Sequence, residues 1–174
     1  MAKIIWFTGL SGAGKTTLAK ILSKRLVKLN FKVQNIDGDN FRKKNKNNNK
    51  FSKSNIIENN LSIIKHTKKI QKKYDFIIVS VISPLLKTRN FARIQFGKNY
   101  YEVYVKCKIK TLEQRDTKKL YEKAKKKLIK NLIGYNSKIR YETSKYKKIT
   151  INTDILDKSI SIKSILKKIL DEKK

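Results

Sequence analysis

Short apolar runs alternate with segments of helical period along this chain. Ile4-Ile5-Trp6-Phe7-Thr8 is apolar and rich in β-formers, which predicts a buried strand. A glycine-rich turn follows. From Lys15 to Leu29 the apolar residues Leu18, Ile21, Leu22, Leu26 and Leu29 then recur at helical spacing. Phe31 to Ile36 predicts a second strand, ending in Asp37-Gly38-Asp39. Lys43 to Lys50 holds only Lys and Asn and reads as a solvated loop. Ile56 to Lys73 predicts a helix, and Phe76 to Val81 the strongest buried strand. Ser83-Pro84 breaks that strand, and a helix through Arg93 follows. Tyr100 to Val105 predicts another strand, and Leu112 to Ile133 a largely helical, very basic stretch. Lys148 to Ile151 predicts a last strand, and Ile160 to Leu170 a closing amphipathic helix.

Strands alternating with helices predict an α/β fold, with a parallel sheet of about five strands and helices on both faces. The carboxyl ends of the strands converge in such a sheet, and ligands bind at that edge. It would carry the glycine turn, Asp37 and Asp39, Ser83, and Arg115 with Asp116. At 174 residues, with no repeat and no linker-like stretch, the chain is expected to form a single domain over residues 1–174.

Composition narrows the setting. The single Cys107 cannot make an internal disulfide, and the Ile4 to Leu10 run is too short to span a membrane. Both fit a cytoplasmic protein that does not engage a membrane. Lys plus Arg number 44 against 13 Asp plus Glu, a net charge of +31. Such a field draws in polyanions and anionic substrates. The lysines are spread through the whole chain, however, and form no stripe interleaved with aromatics. Compositional drift explains the charge better than a nucleic-acid surface. A basic P-loop protein binding nucleic acid stays as the alternative from another class.

Gly9-Leu10-Ser11-Gly12-Ala13-Gly14-Lys15-Thr16 satisfies G-x-x-x-x-G-K-[ST] between a strand and a helix, so the fold is expected to be of P-loop NTPase type. Glycines let backbone N–H groups turn onto phosphates, and the following helix aims its positive end at the same anion. Lys15 is expected to span the β- and γ-phosphates of ATP, with Thr16 giving its hydroxyl to Mg²⁺ and Thr17 completing the loop. Just after the second strand, Asp37 and Asp39 can divide the work on the acceptor. One would orient the metal or its water, and the other would accept the acceptor hydroxyl's proton. Arg42 can fork onto an anionic acceptor.

The run Ile5 to Ala19 resembles the opening of adenylylsulfate kinases. Further blocks match in order: Asp37-Gly38-Asp39-Asn40-x-Arg42, Phe51-Ser52 with Asn59, Val81-Ile82-Ser83-Pro84, and Glu102-Val103-Tyr104-Val105. Arg115-Asp116-x-Lys118-x-Leu120-Tyr121-x-Lys123-Ala124 and Tyr141-Glu142 complete the set, which covers nearly the whole chain. The resemblance implies an ATP- and Mg²⁺-dependent kinase acting on the 3′-hydroxyl of adenylyl sulfate. It implies an acceptor pocket of Arg42, Phe51, Asn59, Ile82 and Ser83, with Phe51 stacked on the base and Asp39 nearest the hydroxyl. It gives Lys15, Asp37, Asp39 and Ser83 catalytic positions, Ser83 as a phosphoserine. Arg115, Asp116 and Lys118 would belong to a lid over ATP. Family members are usually homodimers.

Departures gather on the acceptor side. Where the family has an arginine for the phosphosulfate, this chain has Ile56, and Leu61 replaces another arginine. Leu132 stands in place of a second base-stacking phenylalanine, and Lys119 in place of a lid glycine. Losing a buried arginine contact to an anion costs roughly 2–5 kcal/mol. Losing a stacked aromatic costs about 1–3 kcal/mol. The donor half is therefore intact and the acceptor half remodelled. This leaves cytidine diphosphoramidate, from capsule-decorating pathways, as an alternative acceptor. A pyrimidine needs less stacking surface than adenine. His66, Cys107 and Trp6 are read as structural.

Overall fold

The computed structural model describes residues 1–44 and 52–170. Among these residues a five-stranded parallel sheet runs β2-β3-β1-β4-β5. The strands are β1 (Lys3–Thr8), β2 (Val33–Asp37), β3 (Phe76–Ser80), β4 (Tyr100–Lys106) and β5 (Ile149–Asn152). The helices are α1 (Lys15–Lys28), α2 (Gly38–Lys44), α3 (Lys53–Ile70), α4 (Leu86–Phe96), α5 (Ile109–Arg115), α6 (Leu120–Lys125) and α7 (Lys158–Leu170).

The period of two in β1 sends its side chains to opposite faces. Ile5 and Phe7 pack with Leu18, Leu22 and Leu26 of α1 and with Ile162, Ile165 and Ile169 of α7. Ile4 and Trp6 pack with Ile63 and Ile64 of α3 and with Ala92 and Phe96 of α4. Helices thus cover both faces, and β1 at the centre is apolar from Ile4 to Phe7 because neither face meets water there. Ile56, Leu85 and Ile133 form a smaller cluster, joined by Leu10, Ile57, Ile82 and Ile139.

The chain leaves β1 toward β2 on one side of the sheet and leaves β3 toward β4 on the other. The carboxyl end of β1 is therefore the switch point where an open α/β sheet leaves a crevice. The loop after β1 and the segment after β3 meet there. Val81 N donates to Phe7 O at 3.1 Å, and Gly9 N donates to Ile82 O at 3.3 Å.

The structure corrects the pattern in two places. The stretch from Leu112 to Ile133 is not one helix. The Asp116 carboxylate accepts from the backbone N–H groups of Leu120 and Glu122, both at 2.8 Å, so the chain stops and restarts there as α6. After Lys125 it continues in turns. The segment after β2 is helical rather than irregular through Lys44. Asp37 Oδ1 accepts from Asp39 N at 3.0 Å and Asn40 N at 3.2 Å and so caps α2. The rest of the expected loop, 45–50, lies outside the described residues. α3 begins at Lys53 because Ser52 Oγ accepts from Asn55 N at 3.2 Å.

Candidate active site

Gly9 opens the loop after β1 with φ 136°, and a Cβ there would lie 2.4 Å from the Val105 carbonyl oxygen on β4. Only glycine lets this backbone press against the neighbouring strand. The loop closes at Gly14, left-handed at φ 96°, from which α1 starts. Its helix end and loop N–H groups make an anion cradle.

Lys15 sits under this cradle with 9% exposure. Its ammonium donates to Gly9 O at 2.9 Å and to Leu10 O at 2.7 Å, held along the loop. Burial lowers its pKa from 10.5 to about 8, with Lys118 adding to the drop and Asp39 and Asp37 opposing it. The amine is thus a cation kept poorly solvated, which favours a polyanion beside it.

Thr16 Oγ1 donates to Asp37 Oδ2 at 2.9 Å, which joins α1 to the end of β2. A hydroxyl and a carboxylate at this spacing are hard oxygen donors suited to Mg²⁺, which takes few protein ligands and completes its shell with water and phosphate. Among the described residues no group of three or more His, Cys, Asp or Glu side chains gathers as a metal cluster. Asp39, in the first turn of α2, pairs with Lys118 at 2.7 Å. Partial burial alone would raise its pKa. Lys118, Arg42 and Lys15 outweigh that and hold the carboxyl below its usual range.

The segment after α5 covers the other side. Arg115 donates to Thr153 O at 2.6 Å and to Thr153 Oγ1 at 3.3 Å. Thr153 Oγ1 is in turn 3.2 Å from Ala13 O. Tyr121 OH donates to Ser11 O at 2.9 Å. These contacts tie the segment from Arg115 to Tyr121 to the loop after β1.

A cavity of about 880 Å³ opens between these parts. Ser11, Gly12, Ala13, Gly14, Lys15, Thr16 and Thr17 line it along one side, with Asp37, Asp39, Ile82, Arg115 and Lys118 facing them. Gly9 and Leu10 lie behind the loop and give their carbonyls to Lys15. The structure brings most of the sequence-predicted residues to this one space.

Besides Gly9 and Leu10, three of the described ones do not line it. Arg42 is half-buried on α2. Asn59 is 2% exposed on α3, and its Nδ2 has no hydrogen-bond partner among the described residues. Ser83 is 1% exposed, left-handed at φ 44°, with Oγ 3.5 Å from Thr88 Oγ1. Phe51 lies outside the described residues. Sequence reasoning missed the far end of the cavity, where Thr153, Leu156, Asp157 and Ser159 follow β5. Their only mark in the sequence is their place after a last strand.

Of the residues read as structural, Trp6 is in the core, and His66 packs on Phe41 with ring centroids 5.5 Å apart. Cys107 donates to Asp154 Oδ1 at 3.3 Å. No helix among the described residues is long and apolar enough to cross a membrane.

A family model described as adenylylsulphate kinase matches residues 1–152. An adenylyl-sulfate kinase of Clostridium acetobutylicum is 37% identical over 150 residues, 86% of this chain and 74% of that one. A probable adenylyl-sulfate kinase of Archaeoglobus fulgidus is 36% identical over 158 residues, 91% of this chain and all of that one. The solved APS kinase of Mycobacterium tuberculosis, in complex with AMPPNP and APS, superposes with a TM-score of 0.87. It is 26% identical, with 98% of each chain covered. Shikimate kinase of Aquifex aeolicus shares the fold at a TM-score of 0.57 and 16% identity.

Proposed function

The chain belongs to the adenylylsulphate kinase family, and on that premise we propose that it transfers the γ-phosphoryl group of ATP to the 3′-hydroxyl of adenylyl sulfate. The observation that carries this reading is the meeting of the cradle, the Thr16–Asp37 pair and Asp39 around one cavity. Mg²⁺ held by Thr16 and Asp37 would offset the charge that develops on the phosphates during transfer.

The chain's own residues then have distinct tasks. The N–H groups from Ser11 to Thr17 hold the triphosphate, with Lys15 turning from the Gly9 and Leu10 carbonyls to the β- and γ-oxygens. Thr16 and Asp37 are the residues that would hold the metal. Arg115 and Lys118 close the far side and keep water out. Asp39 is ionised at neutral pH, since its pKa is held below the usual carboxylate range. It accepts the hydrogen bond of the attacking hydroxyl. The oxygen–phosphorus bond forms in line as the bond to the ADP oxygen breaks, and the hydroxyl proton passes to Asp39 and on to solvent. Ser83 needs no covalent role in that path, and its buried Oγ faces Thr88 rather than the cavity. Asn59, whose Nδ2 has no partner among the described residues, and Arg42 serve the acceptor.

A second reading of the acceptor has one observation in its favour. Ile56 is packed with Leu85 and Ile133, so this position of α3 presents an apolar side chain and no cation to a terminal anion. Cytidine diphosphoramidate carries a different terminal group and a smaller base. ADP release measured with each acceptor decides between them: faster turnover of cytidine diphosphoramidate would displace adenylyl sulfate. The reading extends to a cytoplasmic homodimer, for which exposed Leu61 on α3 and exposed Phe91 and Ile94 on α4 offer apolar surface. Sedimentation checks the assembly.

A further inference from the structure

Arg89 is a fully buried cation on α4 that the chemistry above does not use. Its Nε lies 3.3 Å from Glu102 Oε1 on β4, an ion pair without hydrogen-bond alignment. Arg93 holds the other oxygen of Glu102 at 3.0 Å. The two terminal nitrogens of Arg89 donate to backbone carbonyls, one to Ser83 and one to Glu142. Its guanidinium sits 5.0 Å from the centre of the Tyr141 ring. Burying a guanidinium is costly, and an apolar side chain often fills such a place at no loss of stability. What an apolar side chain cannot do is bridge two carbonyls.

The Ser83 carbonyl belongs to the turn whose Ile82 lines the cavity, and the Glu142 carbonyl to the segment that packs on that turn. Ser83 is left-handed, a backbone state that a non-glycine residue keeps only when its surroundings hold it. The neighbouring Ile82 carbonyl accepts from Thr8 Oγ1 at 2.6 Å and from Gly9 N at 3.3 Å, and the Ile82 residue lines the cavity. From the other side, Glu142 N donates to Pro84 O at 2.9 Å, and the Glu142 carboxylate accepts from Leu86 N at 2.5 Å. Tyr141 OH lies 2.9 Å from Thr8 Oγ1. The Ile82–Ser83–Pro84 turn is therefore gripped from three directions, and Arg89 is the member that reaches it from within the core.

We propose that Arg89 is a positioning residue: by bridging the Ser83 and Glu142 carbonyls it fixes the Ile82–Ser83 turn against Thr8 and Gly9. The acceptor is thereby set at the distance that in-line transfer requires. The inference rests on the kinase reading of this cavity. It concerns acceptor placement first, because among the described residues Arg89 meets Ser83, Glu102, Glu142 and Tyr141 and none of the cradle residues from Ser11 to Thr17.

The test separates acceptor from donor constants. Arg89→Lys keeps a charge beside Glu102, but one ammonium cannot span both carbonyls. It is expected to raise the acceptor KM or lower kcat by roughly tenfold to a hundredfold, as a misplaced reactant does, with the ATP KM little changed. Glu142→Ala, at an exposed side chain, removes the outer grip and should shift the acceptor constants the same way by less. Ile165→Val, in the core against α1, serves as the control for lost stability alone and should leave both constants in place. Unchanged acceptor constants in Arg89→Lys, or a change in ATP and acceptor constants alike, would overturn the proposal. So would the same shift in Ile165→Val. If Arg89→Lys does not fold, unchanged acceptor constants in Glu142→Ala overturn it. A wild-type protein that turns over neither acceptor would instead sink the kinase reading, and this inference with it.

Discussion

Lys15→Met should make the nucleotide-free protein more stable while ending phosphoryl transfer. The ammonium is held where burial lowers its pKa from 10.5 to about 8. At about 1.4 kcal/mol for each pH unit, keeping that proton at neutral pH costs the folded state about 3 kcal/mol. The sign follows from linkage. Below pH about 8 Lys15 is charged in both folded and unfolded chains, and the cost is present in full. Above 10.5 it is neutral in both, and the cost is gone. Removing the ammonium also strips a donor from the Gly9 and Leu10 carbonyls, each worth about 1 kcal/mol net, which water can partly replace. The net gain at pH 7 is then about 1–3 kcal/mol. For a chain of this size that is about 2–12 °C in Tm. Thermal unfolding followed by circular dichroism, with and without the substitution, measures it. The gap should narrow from pH 7 toward pH 10. A variant that melts below the wild type at pH 7, or a gap that does not change with pH, would refute the reasoning.

Gly9→Ala should cost about 2 kcal/mol or more, from the 2.4 Å approach to the Val105 carbonyl and a φ of 136°, read as a lowered denaturant midpoint. Asp39→Asn should lower kcat by about 10²–10⁴ with ATP affinity nearly kept; normal turnover would remove Asp39 from the chemistry. Thr16→Val should raise the Mg²⁺ concentration needed for half-maximal rate, since the Asp37 carboxylate stays but its hydroxyl partner does not. A Mg²⁺ titration of the initial rate shows it.

How far the sequence could be read depended on whether a residue's role is local. The loop from Gly9 to Thr16 was legible because its glycines answer backbone demands set within a few residues. The strands were legible because burial on both faces leaves an unbroken apolar run, as in Phe76–Ser80. The break after Arg115 was not, because Asp116 acts through its side chain on N–H groups four and six residues on. The same holds for α2. Asp37-Gly38 reads as a turn until the Asp37 carboxylate is seen capping the helix. Thr153 was invisible because its contacts with Ala13 and Arg115 are distant in sequence. Arg89 was hidden for a related reason. In a chain with 44 Lys and Arg, one more arginine carries no signal until folding places Glu102 beside it.

The basic excess itself looks different once the carboxylates are located. Only 13 Asp and Glu are present, and most of those described hold a partner. Asp37 holds Thr16 and caps α2, and Asp39 pairs with Lys118. Glu102 anchors Arg89 and Arg93. Asp116, Asp157 and Asp154 accept backbone N–H groups at the starts of α6 and α7 and beside β5. Glu142 fastens the start of α4. The lysines show no such pattern. Many are exposed on helix faces, where a charge costs little and a surface pair contributes about 0–1 kcal/mol. Most of the described acidic residues thus sit where a donor or a cation meets them, and basic ones fill much of the solvated remainder. A +31 surface of this kind is explained without a polyanionic partner. The same asymmetry makes the loss of a single carboxylate from this chain costlier than the loss of most of its lysines.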